Sequence, residues 1–380
     1  MIERPEGQRV LVAVVAETRA WEITAESFFS NVIEPLDADL ALCVGDHEEP
    51  NPLYDRAKYV WSTEEPEDWG ELYDRKASGP SWRILLEPGD QLLDGIEDPE
   101  VGSGAIVLYF RQLLAESIQR QGIADEYDWL VVTRSDLLWP IPHPSTRYLS
   151  SRHIYALDGE GYGGVEDRHL IVPRRFVKRF LEVPGGVFSD PERLKRELDH
   201  VSALPEWPVL NHERFLAARL RQLGLWRHVR FLPYVPYLVR PPGGATRWSE
   251  GTLDEERGYY VKYPTELERS RIAQRFISDQ RSWADYLAPV RGARMRRELR
   301  AAYRERELFE RPFTFRQVYD RVARDVDDFP LTVEKLLHRL SVWAGARLRR
   351  IPGLAPLLDA RLRRIRRRAA TRSERRARSL

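Results

Sequence analysis

A short apolar run near the middle of the chain is the feature that most constrains its fold. Residues 129–132 (Trp-Leu-Val-Val) are aromatic or aliphatic, without a polar interruption. Unbroken hydrophobicity of this length is typical of a strand buried on both faces, as in a parallel sheet flanked by helices. The run ends in Thr133-Arg134-Ser135-Asp136. Because open α/β sheets bind ligands beyond the carboxyl ends of their strands, Asp136 is the first candidate for chemistry.

Strands and helices alternate around this run. Apolar patterns predict strands at 9–16, 39–44 and 152–157, and a helix between the first two strands that ends before Pro35. The first strand, this helix and the second strand would form a βαβ unit. Another helix is predicted over 104–120, where apolar residues recur at helical spacing. This alternation predicts an α/β fold.

The pattern becomes less regular in the second half of the chain. Residues 184–208 predict a loose connection, and the prolines in the apolar segment at 228–239 restrict that segment to the edge of a sheet. The sequence Pro-Pro-Gly-Gly at 241–244 predicts a domain boundary. Beyond residue 255 the pattern is helical and rich in arginine, and no further strand is expected.

Composition limits the possible classes of protein. With 42% hydrophobic residues the chain is globular, and no apolar run reaches the ~20 residues needed to span a bilayer. The N-terminal segment has no secretory signal pattern, so we expect a cytoplasmic location. Cys43 is the only cysteine, which excludes intrachain disulfides and cysteine-built zinc sites. A metal ion would need oxygen or histidine ligands, which favours Mg²⁺ or Mn²⁺.

One family shares this arrangement of elements. The order of an amphipathic helix, Tyr-Asp-Trp at 127–129, a hydrophobic strand and Thr-Arg-Ser-Asp at 133–136 resembles the nucleotide-sugar-binding core of GT-A-type glycosyltransferases, especially bacterial ones concerned with surface polysaccharides. In that family an acidic motif, often Asp-x-Asp, ends the strand and holds a divalent metal with the ribose and diphosphate of the donor. Asp136 matches the metal-binding carboxylate, whereas Arg134 occupies the preceding acidic position. The resemblance implies that Arg134 and Ser135 also contact the donor.

The same resemblance extends to the start of the chain. In the family, the first strand leads into a loop that carries an arginine and a hydroxyl residue, which here are Arg19 and Thr18. An arginine at the carboxyl end of a strand can bind a diphosphate through two hydrogen bonds, and the alternative is a solvated loop residue. Asp46 follows the second strand, where it would accept from a ribose or base, or would be an ordinary turn residue. Arg111, near the start of the helix at 104–120, could reach the donor.

A glycine-rich segment at 158–168 follows the strand at 152–157. Four glycines in six residues give a backbone that can approach a ligand closely. In the resembling family a Gly-Gly-x-x-Asp segment lines the sugar or acceptor side of the cleft, and Gly163, Gly164 and Asp167 match it. A mobile surface turn is the alternative. If the reaction inverts the anomeric centre, Asp167 is one candidate for the base that deprotonates the acceptor.

Glu213 is the second candidate for this base. Asn211 suits the N-cap of a helix, and Glu213 complements the positive end of the helix dipole, which is a complete structural explanation for both residues. The family, however, often carries an acidic residue at the start of its late helix, facing the acceptor. Glu213 is therefore also a catalytic candidate.

The formal net charge of +1 conceals an Arg-rich C-terminal end. We predict a GT-A-like nucleotide-sugar-binding domain at 1–250, a helical domain at 251–344 and an Arg-rich amphipathic tail at 345–380. A basic helix with an apolar stripe can lie on an anionic membrane surface, which would make the protein peripheral on the inner face of the membrane. A solvated helix packed on its own domain is the second interpretation. Nucleic-acid binding ranks last, because no nucleic-acid module is visible.

The resemblance therefore implies an α/β fold with a GT-A-like (Rossmann-like) mixed sheet flanked by helices and a C-terminal α-helical basic region. It implies a glycosyltransferase that moves a sugar from a nucleotide diphosphate donor to a glycan or lipid-linked acceptor, with Mg²⁺ or Mn²⁺ held by Asp136. Arg134 or Arg19 could supply part of the positive charge that neutralises the leaving diphosphate, which would explain why one carboxylate of the motif is absent. The alternative is a non-catalytic protein of the same fold that serves as a membrane-associated assembly or binding factor, which the incomplete acidic motif favours.

Overall fold

The computed structural model describes residues 8–46, 49, 51–77, 79–86, 91–96, 103–159, 161–162, 164–199, 210–243 and 251–306. The fold lies in the compact unit of residues 1–195 and 211–310. The end of the predicted helical domain, the predicted tail at 345–380 and Gly163 lie outside the described residues.

The described residues contain eleven strands. They are β1 (Val10–Ala16), β2 (Ala38–Gly45), β3 (Ala57–Thr63), β4 (Trp129–Thr133), β5 (Leu137–Leu138), β6 (Ile154–Leu157), β7 (Leu170–Pro173), β8 (Val229–Leu232), β9 (Tyr237–Arg240), β10 (Thr252–Asp254) and β11 (Tyr259–Val261). Seven of them form one mixed sheet, in the spatial order β3-β2-β1-β4-β7-β6-β8. All five residues of β4 are buried, as the apolar run predicts.

The order of the strands reverses between β1 and β4. β1 pairs in parallel with β2 on one side and with β4 on the other, and β3 pairs in parallel with β2. β7 is antiparallel to both β4 and β6, while β6 is parallel to the edge strand β8. The chain therefore runs outward from β1 through β2 and β3, then returns to the other side of β1. Open α/β sheets bind ligands at such a switch point, outside the carboxyl ends of the strands.

Helices flank this sheet, so the predicted α/β fold class is confirmed. They are α1 (Trp21–Phe28), α2 (Glu34–Leu36), α3 (Pro52–Arg56), α4 (Trp69–Lys76), α5 (Gly104–Gln121), α6 (Arg174–Phe180), α7 (Gly186–Ser189), α8 (Pro191–Asp199), α9 (His212–Gln222), α10 (Pro264–Phe276), α11 (Gln280–Leu287) and α12 (Pro289–Glu305). α5 packs on β1 and β2, and α6 packs on β4 and β7. Within the described ranges, no helix is both long and apolar enough to cross a membrane.

The predicted helix at 104–120 is confirmed as α5. Its buried residues include Phe110, Leu114 and Ile118, which recur every four residues and therefore lie along one face of the helix. Gly122 ends the helix with a φ of 69°, a left-handed conformation that a residue without a Cβ adopts at little cost. This helix also carries Arg111, and its position on the sheet determines where that side chain can reach.

A second, smaller sheet completes the carboxyl end of β4. It is antiparallel and has the order β10-β11-β9-β5. β5 begins directly after Asp136, and the backbone N–H of Val239 donates to the Asp136 carbonyl oxygen at 3.0 Å. Arg240 is the last residue of β9, and Lys262 follows β11. The small sheet therefore brings two late cations close to the predicted site.

Two of the local predictions are wrong because of proline geometry. The helix after β1 does not end before Pro35, since a π-helical turn at Phe29–Ile33 lets it continue into α2. Pro35 then lies in the first turn of α2, where its missing N–H is tolerated. The apolar segment at 228–239 forms two strands of different sheets rather than one. β8 lies at a sheet edge as predicted, whereas β9 lies between β11 and β5 in the small sheet, because Pro233 and Pro236 lie outside both strands.

Two other predictions are wrong because the local pattern is weak. The segment at 184–208 is not only a loose connection, because it contains α7 and α8. A strand, β11, exists beyond residue 255, and it pairs with β9 on the other side of the predicted boundary at 241–244. Strands of three residues are too short to show a clear alternation in the sequence.

Candidate active site

The loops after β1 and β4 are bound to each other at the switch point. The Ser135 hydroxyl lies 3.0 Å from the carbonyl oxygen of Glu17 and 2.9 Å from that of Arg19. Thr24 returns a hydrogen bond from its hydroxyl to the Ser135 carbonyl at 2.7 Å. Ala16, at the end of β1, has a φ of 81°. Strained backbone of this kind costs on the order of 1–3 kcal/mol and occurs preferentially at functional sites.

Asp136 is buried and paired with two arginines. Its two oxygens accept hydrogen bonds from Arg134, Oδ1 from Nε at 3.0 Å and Oδ2 from Nη2 at 2.7 Å. Arg240 also donates from Nη1 to Oδ2. Burial alone would raise the pKa of Asp136, but Arg134, Arg240 and Arg19 hold that pKa well below its usual range. Asp136 is therefore a carboxylate that remains ionised under all ordinary conditions.

Four cations surround this carboxylate, and we call Arg19, Arg134, Arg240 and Lys262 the cation cluster. Burial, with Arg134 and Arg240 nearby, lowers the pKa of Lys262 to about 7. The same effects, burial first and Arg134 second, lower the pKa of Arg19. Burial is the largest cause of both shifts, and repulsion by Arg134 adds to it. Against these four cations, Asp136 and Glu17, which pairs with Arg19 at 2.7 Å, supply two negative charges. The cluster therefore has an excess of positive charge.

Arg240 has unused hydrogen-bonding capacity. Its side chain is only 3% exposed and forms an ion pair with Asp136. Its Nε and Nη2 atoms are buried and have no hydrogen-bond partner among the residues that the structure describes. A buried donor without a partner costs about 1–3 kcal/mol, so its presence in a native site calls for a ligand or another compensation.

Asp167 and Glu213 lie close together next to this cluster, and we call them the carboxyl pair. Arg111 donates from Nη2 to the Asp167 carboxylate and to its backbone carbonyl, both at 2.7 Å. Burial would raise the pKa of Asp167, but Arg111 and other cations lower it overall. Burial and the nearby Asp167 instead raise the pKa of Glu213 to about 8. Two carboxyl groups with opposite pKa shifts are typical of a site that handles protons.

The carboxyl pair and the cation cluster form one continuous charged site. Burial would lower the pKa of Arg134, but Asp136 raises it, and Asp167 contributes in the same direction. The ring of Tyr263 lies 5.2 Å from the ammonium of Lys262, a member of the cluster, and 5.3 Å from the guanidinium of Arg168, which follows Asp167 in the sequence. Arg168 is fixed in turn by the buried Glu266. Arg168 therefore anchors the segment that carries Asp167.

The surroundings of Asp136 do not fit a divalent metal ion. Both of its oxygens already accept from guanidinium groups, and the charged residues that act on it are Arg134, Arg240 and Arg19. Across the described part of the chain, no three His, Cys, Asp or Glu side chains are grouped so that they could hold a metal. A divalent metal ion at this carboxylate would also be repelled by the four cations of the cluster. We therefore assign no metal ion to Asp136.

Three of the predicted donor-site residues have structural partners instead of facing the cluster. Thr18 is buried and accepts from the Asn51 side chain at 2.8 Å. Ser135 holds the two loops together, as described above. Gly164 packs against α9, where a Cβ atom would lie 2.0 Å from the Glu213 carbonyl oxygen. Their roles in donor binding stay predictions, as does that of Gly163.

Of the other candidates, Asp46 follows strand β2 and Glu213 lies on helix α9. Asp46 is exposed after β2, the neighbour of β1, and its backbone N–H donates to the Thr63 carbonyl at 2.9 Å. Asn211 caps α9 as predicted, because its side chain accepts from the backbone N–H of Arg214 at 2.9 Å. Glu213 therefore lies in the first turn of α9, where the helix dipole favours a carboxylate.

Sequence reasoning did not single out Arg240 or Lys262. Arg240 is the last residue of the short strand Tyr237–Arg240, after three apolar residues, and Lys262 directly follows the strand Tyr259–Val261. A charged residue directly after a short apolar strand is therefore the signal that would have identified both. The pairing of β9 and β11 beside β5 is what makes these positions converge.

Comparison with known proteins gives little additional information. No family model matches the chain, and no curated protein matches it in sequence. Among solved structures it is similar to the crystal structure of mouse xyloside xylosyltransferase 1 in its apo form, with 11% sequence identity and a TM-score of 0.33. The match covers 60% of this chain and 86% of the mouse chain. The chemistry of this protein must therefore be inferred from its own site residues.

Proposed function

We propose that this protein is a glycosyltransferase that moves a sugar from a nucleoside diphosphate donor to a hydroxyl group of a glycan or glycolipid. The observation that supports it most directly is the excess of buried positive charge at the switch point of the sheet, beside a pair of carboxyl groups with opposite pKa shifts. A diphosphate is the leaving group that such cations would stabilise, and a hydroxyl acceptor needs a base. The resemblance of the sequence to GT-A-type glycosyltransferases agrees with this proposal.

In the proposed reaction the acceptor oxygen attacks the anomeric carbon of the donor sugar. The bond from that carbon to the β-phosphate oxygen breaks, and its electron pair stays on the leaving diphosphate. Fixed cations next to this oxygen stabilise the charge as it develops, without reorganisation. Arg134 uses its Nε and Nη2 donors on Asp136, whereas Arg240 keeps the same pair of donors for a phosphate, which a guanidinium group binds through two parallel hydrogen bonds.

The proton of the acceptor hydroxyl passes to the carboxyl pair. Asp167 is held by Arg111 and its pKa is lowered, which makes it a weak base. The pKa of Glu213 is raised to about 8 by burial and by Asp167, which makes its carboxylate the stronger base. We therefore propose Glu213 as the general base of an inverting transfer, with Asp167 and Arg111 as its positioning partners. Asp46 and Arg19 are proposed donor contacts at the sheet edge.

The experiment is a screen of nucleotide sugars for the release of nucleoside diphosphate in the presence of bacterial surface glycans or glycolipids. We expect one or a few donors to be consumed by the wild-type protein and not by Glu213→Gln. Consumption of none of them would reject the transferase. Binding of nucleoside diphosphate without any turnover would support the alternative, a non-catalytic binding protein of the same fold.

A further inference from the structure

We infer that the cation cluster binds the diphosphate of the donor directly, without a divalent metal ion. The inference rests on the proposed function, because it names how the same site holds its substrate. It departs from the Mg²⁺ or Mn²⁺ site that the sequence resemblance implies at Asp136.

Asp136 is bound by two guanidinium groups. A carboxylate that coordinates a metal needs free lone pairs that face the ligand, whereas both oxygens of Asp136 accept from Arg134 and Oδ2 also accepts from Arg240. Its side chain is only 1% exposed. Asp136 therefore orients two guanidinium groups and keeps them at close range in spite of their mutual repulsion.

The guanidinium groups of Arg240 and Arg134 are the donors that would bind a phosphate. Arg240 has two buried guanidinium nitrogens, Nε and Nη2, for which the described part of the chain supplies no hydrogen-bond partner. Arg134 is the more accessible of the two arginines, with 27% of its side chain exposed, against 3% for Arg240. Planar guanidinium groups bind phosphate oxygens through two parallel hydrogen bonds. A phosphate placed against these groups would satisfy donors that are otherwise buried and unpaired.

The charge of the cation cluster favours an anion over a divalent cation. The cluster contains four cations, and two carboxylates pair with its arginines: Asp136 with Arg134 and Arg240, and Glu17 with Arg19 at 2.7 Å. With Lys262 protonated, the surplus is two positive charges. The diphosphate of a nucleotide sugar carries about two negative charges, so the anion itself balances the cluster. A divalent ion added to the same space would instead increase the repulsion.

Calorimetric titration tests this inference with UDP, GDP and inorganic pyrophosphate, each in buffer with EDTA and in buffer with Mn²⁺. We expect one of the nucleotides to bind the wild-type protein with a Kd that differs by less than about threefold between the two buffers. Arg240→Leu and Lys262→Gln should each weaken binding roughly tenfold or more, as expected for the loss of a hydrogen bond to a charged group. Arg271→Gln, at an exposed position on α10, is the control and should leave the Kd unchanged.

The outcomes separate the two proposals. Binding that occurs only with Mn²⁺ would overturn the metal-independent site and leave the glycosyltransferase intact. Absence of binding in both buffers, for both nucleotides and for pyrophosphate, would overturn both. Because the comparison of EDTA with Mn²⁺ uses the wild-type protein, it decides the question even if Arg240→Leu fails to fold.

Discussion

At the scale of single residues, Asp136 determines both the stability of the site and its charge. It is a buried anion between two arginines, so its removal leaves Arg134 and Arg240 close together without a counter-charge. Breaking a buried ion pair by removing one partner typically costs about 3–5 kcal/mol. An incoming diphosphate would relieve the repulsion between Arg134 and Arg240.

Asp136→Asn should therefore lower the free energy of unfolding by about 3 kcal/mol in the ligand-free protein. Asp55→Asn, at an exposed position on α3, is the control and should change it by less than about 0.5 kcal/mol. Urea denaturation at pH 7 measures both variants. Equal stability of Asp136→Asn and wild type would contradict the structural role assigned to this carboxylate.

The pH dependence of the same contribution follows from the direction of the pKa shift. The pKa of Asp136 is depressed in the folded protein, so its stabilisation is present above its ordinary pKa of about 4 and is lost as the pH falls through the folded value. The stability difference between wild type and Asp136→Asn should thus be fully present at pH 5, where Lys262 is protonated in the wild-type protein, and should shrink in stronger acid.

The raised pKa of Glu213 predicts how the enzymatic activity depends on pH. A base must be deprotonated, and the pKa of Glu213 is raised to about 8 by burial and Asp167. At saturating donor, where the bound diphosphate keeps Lys262 protonated, kcat should therefore rise as the pH increases through about 8. Glu213→Gln should lower kcat by roughly 10²–10⁴-fold and remove this rise. Nucleotide release measured from pH 6 to 9.5 tests both statements, with the exposed Glu22→Gln as control. A profile that is flat across this range in the wild-type protein would exclude Glu213 as the base.

At the scale of elements, the site depends on how closely the glycine-rich segment approaches α9. The backbone N–H of Val165 donates to the Glu213 carbonyl at 3.0 Å, which couples the segment before Asp167 to the helix that carries Glu213. Gly164 permits this approach because it has no Cβ. The relative position of the carboxyl pair is therefore determined by backbone packing.

Gly164→Ala should disturb both stability and catalysis. The new Cβ would lie 2.0 Å from the Glu213 carbonyl oxygen, so α9 must shift, at a cost of about 1–3 kcal/mol for overpacking. Gly185→Ala is a matched control, because its Cβ would lie 3.6 Å from its nearest neighbour. Thermal unfolding and nucleotide release distinguish the two variants. A Gly164→Ala protein as stable and active as Gly185→Ala would show that this contact does not position Glu213.

The elements that the sequence predicts well are those with strong local patterns. The apolar run of β4 and the helical spacing of α5 each determine an element within a few residues. The small sheet could not be predicted, because β5, β9 and β11 are short and depend on pairing between distant residues. For the same reason, the two arginines that bind Asp136 differ in how well the sequence predicts them. Arg134 is a neighbour in sequence, whereas Arg240 reaches Asp136 only through the small sheet.

At the scale of the whole molecule, the predicted tail at 345–380 would link the catalytic unit to its acceptor. We propose that its arginine-rich face binds anionic membranes, where each basic residue near the surface contributes about 1 kcal/mol. Deletion of 345–380 should abolish sedimentation with vesicles that contain phosphatidylserine and leave turnover of the nucleotide-sugar donor unchanged. Neutral phosphatidylcholine vesicles are the control. Undiminished sedimentation of the truncated protein would reject this role.

The whole molecule therefore combines a mixed α/β sheet with a charged site at its switch point. The most direct test of the central claim is a crystal structure of the protein with UDP or GDP, grown with EDTA. We predict that the diphosphate oxygens lie within about 3 Å of the guanidinium nitrogens of Arg134 and Arg240, close to the carboxyl ends of β1 and β4. A diphosphate bound away from the cation cluster, or no bound nucleotide at saturating concentration, would contradict it.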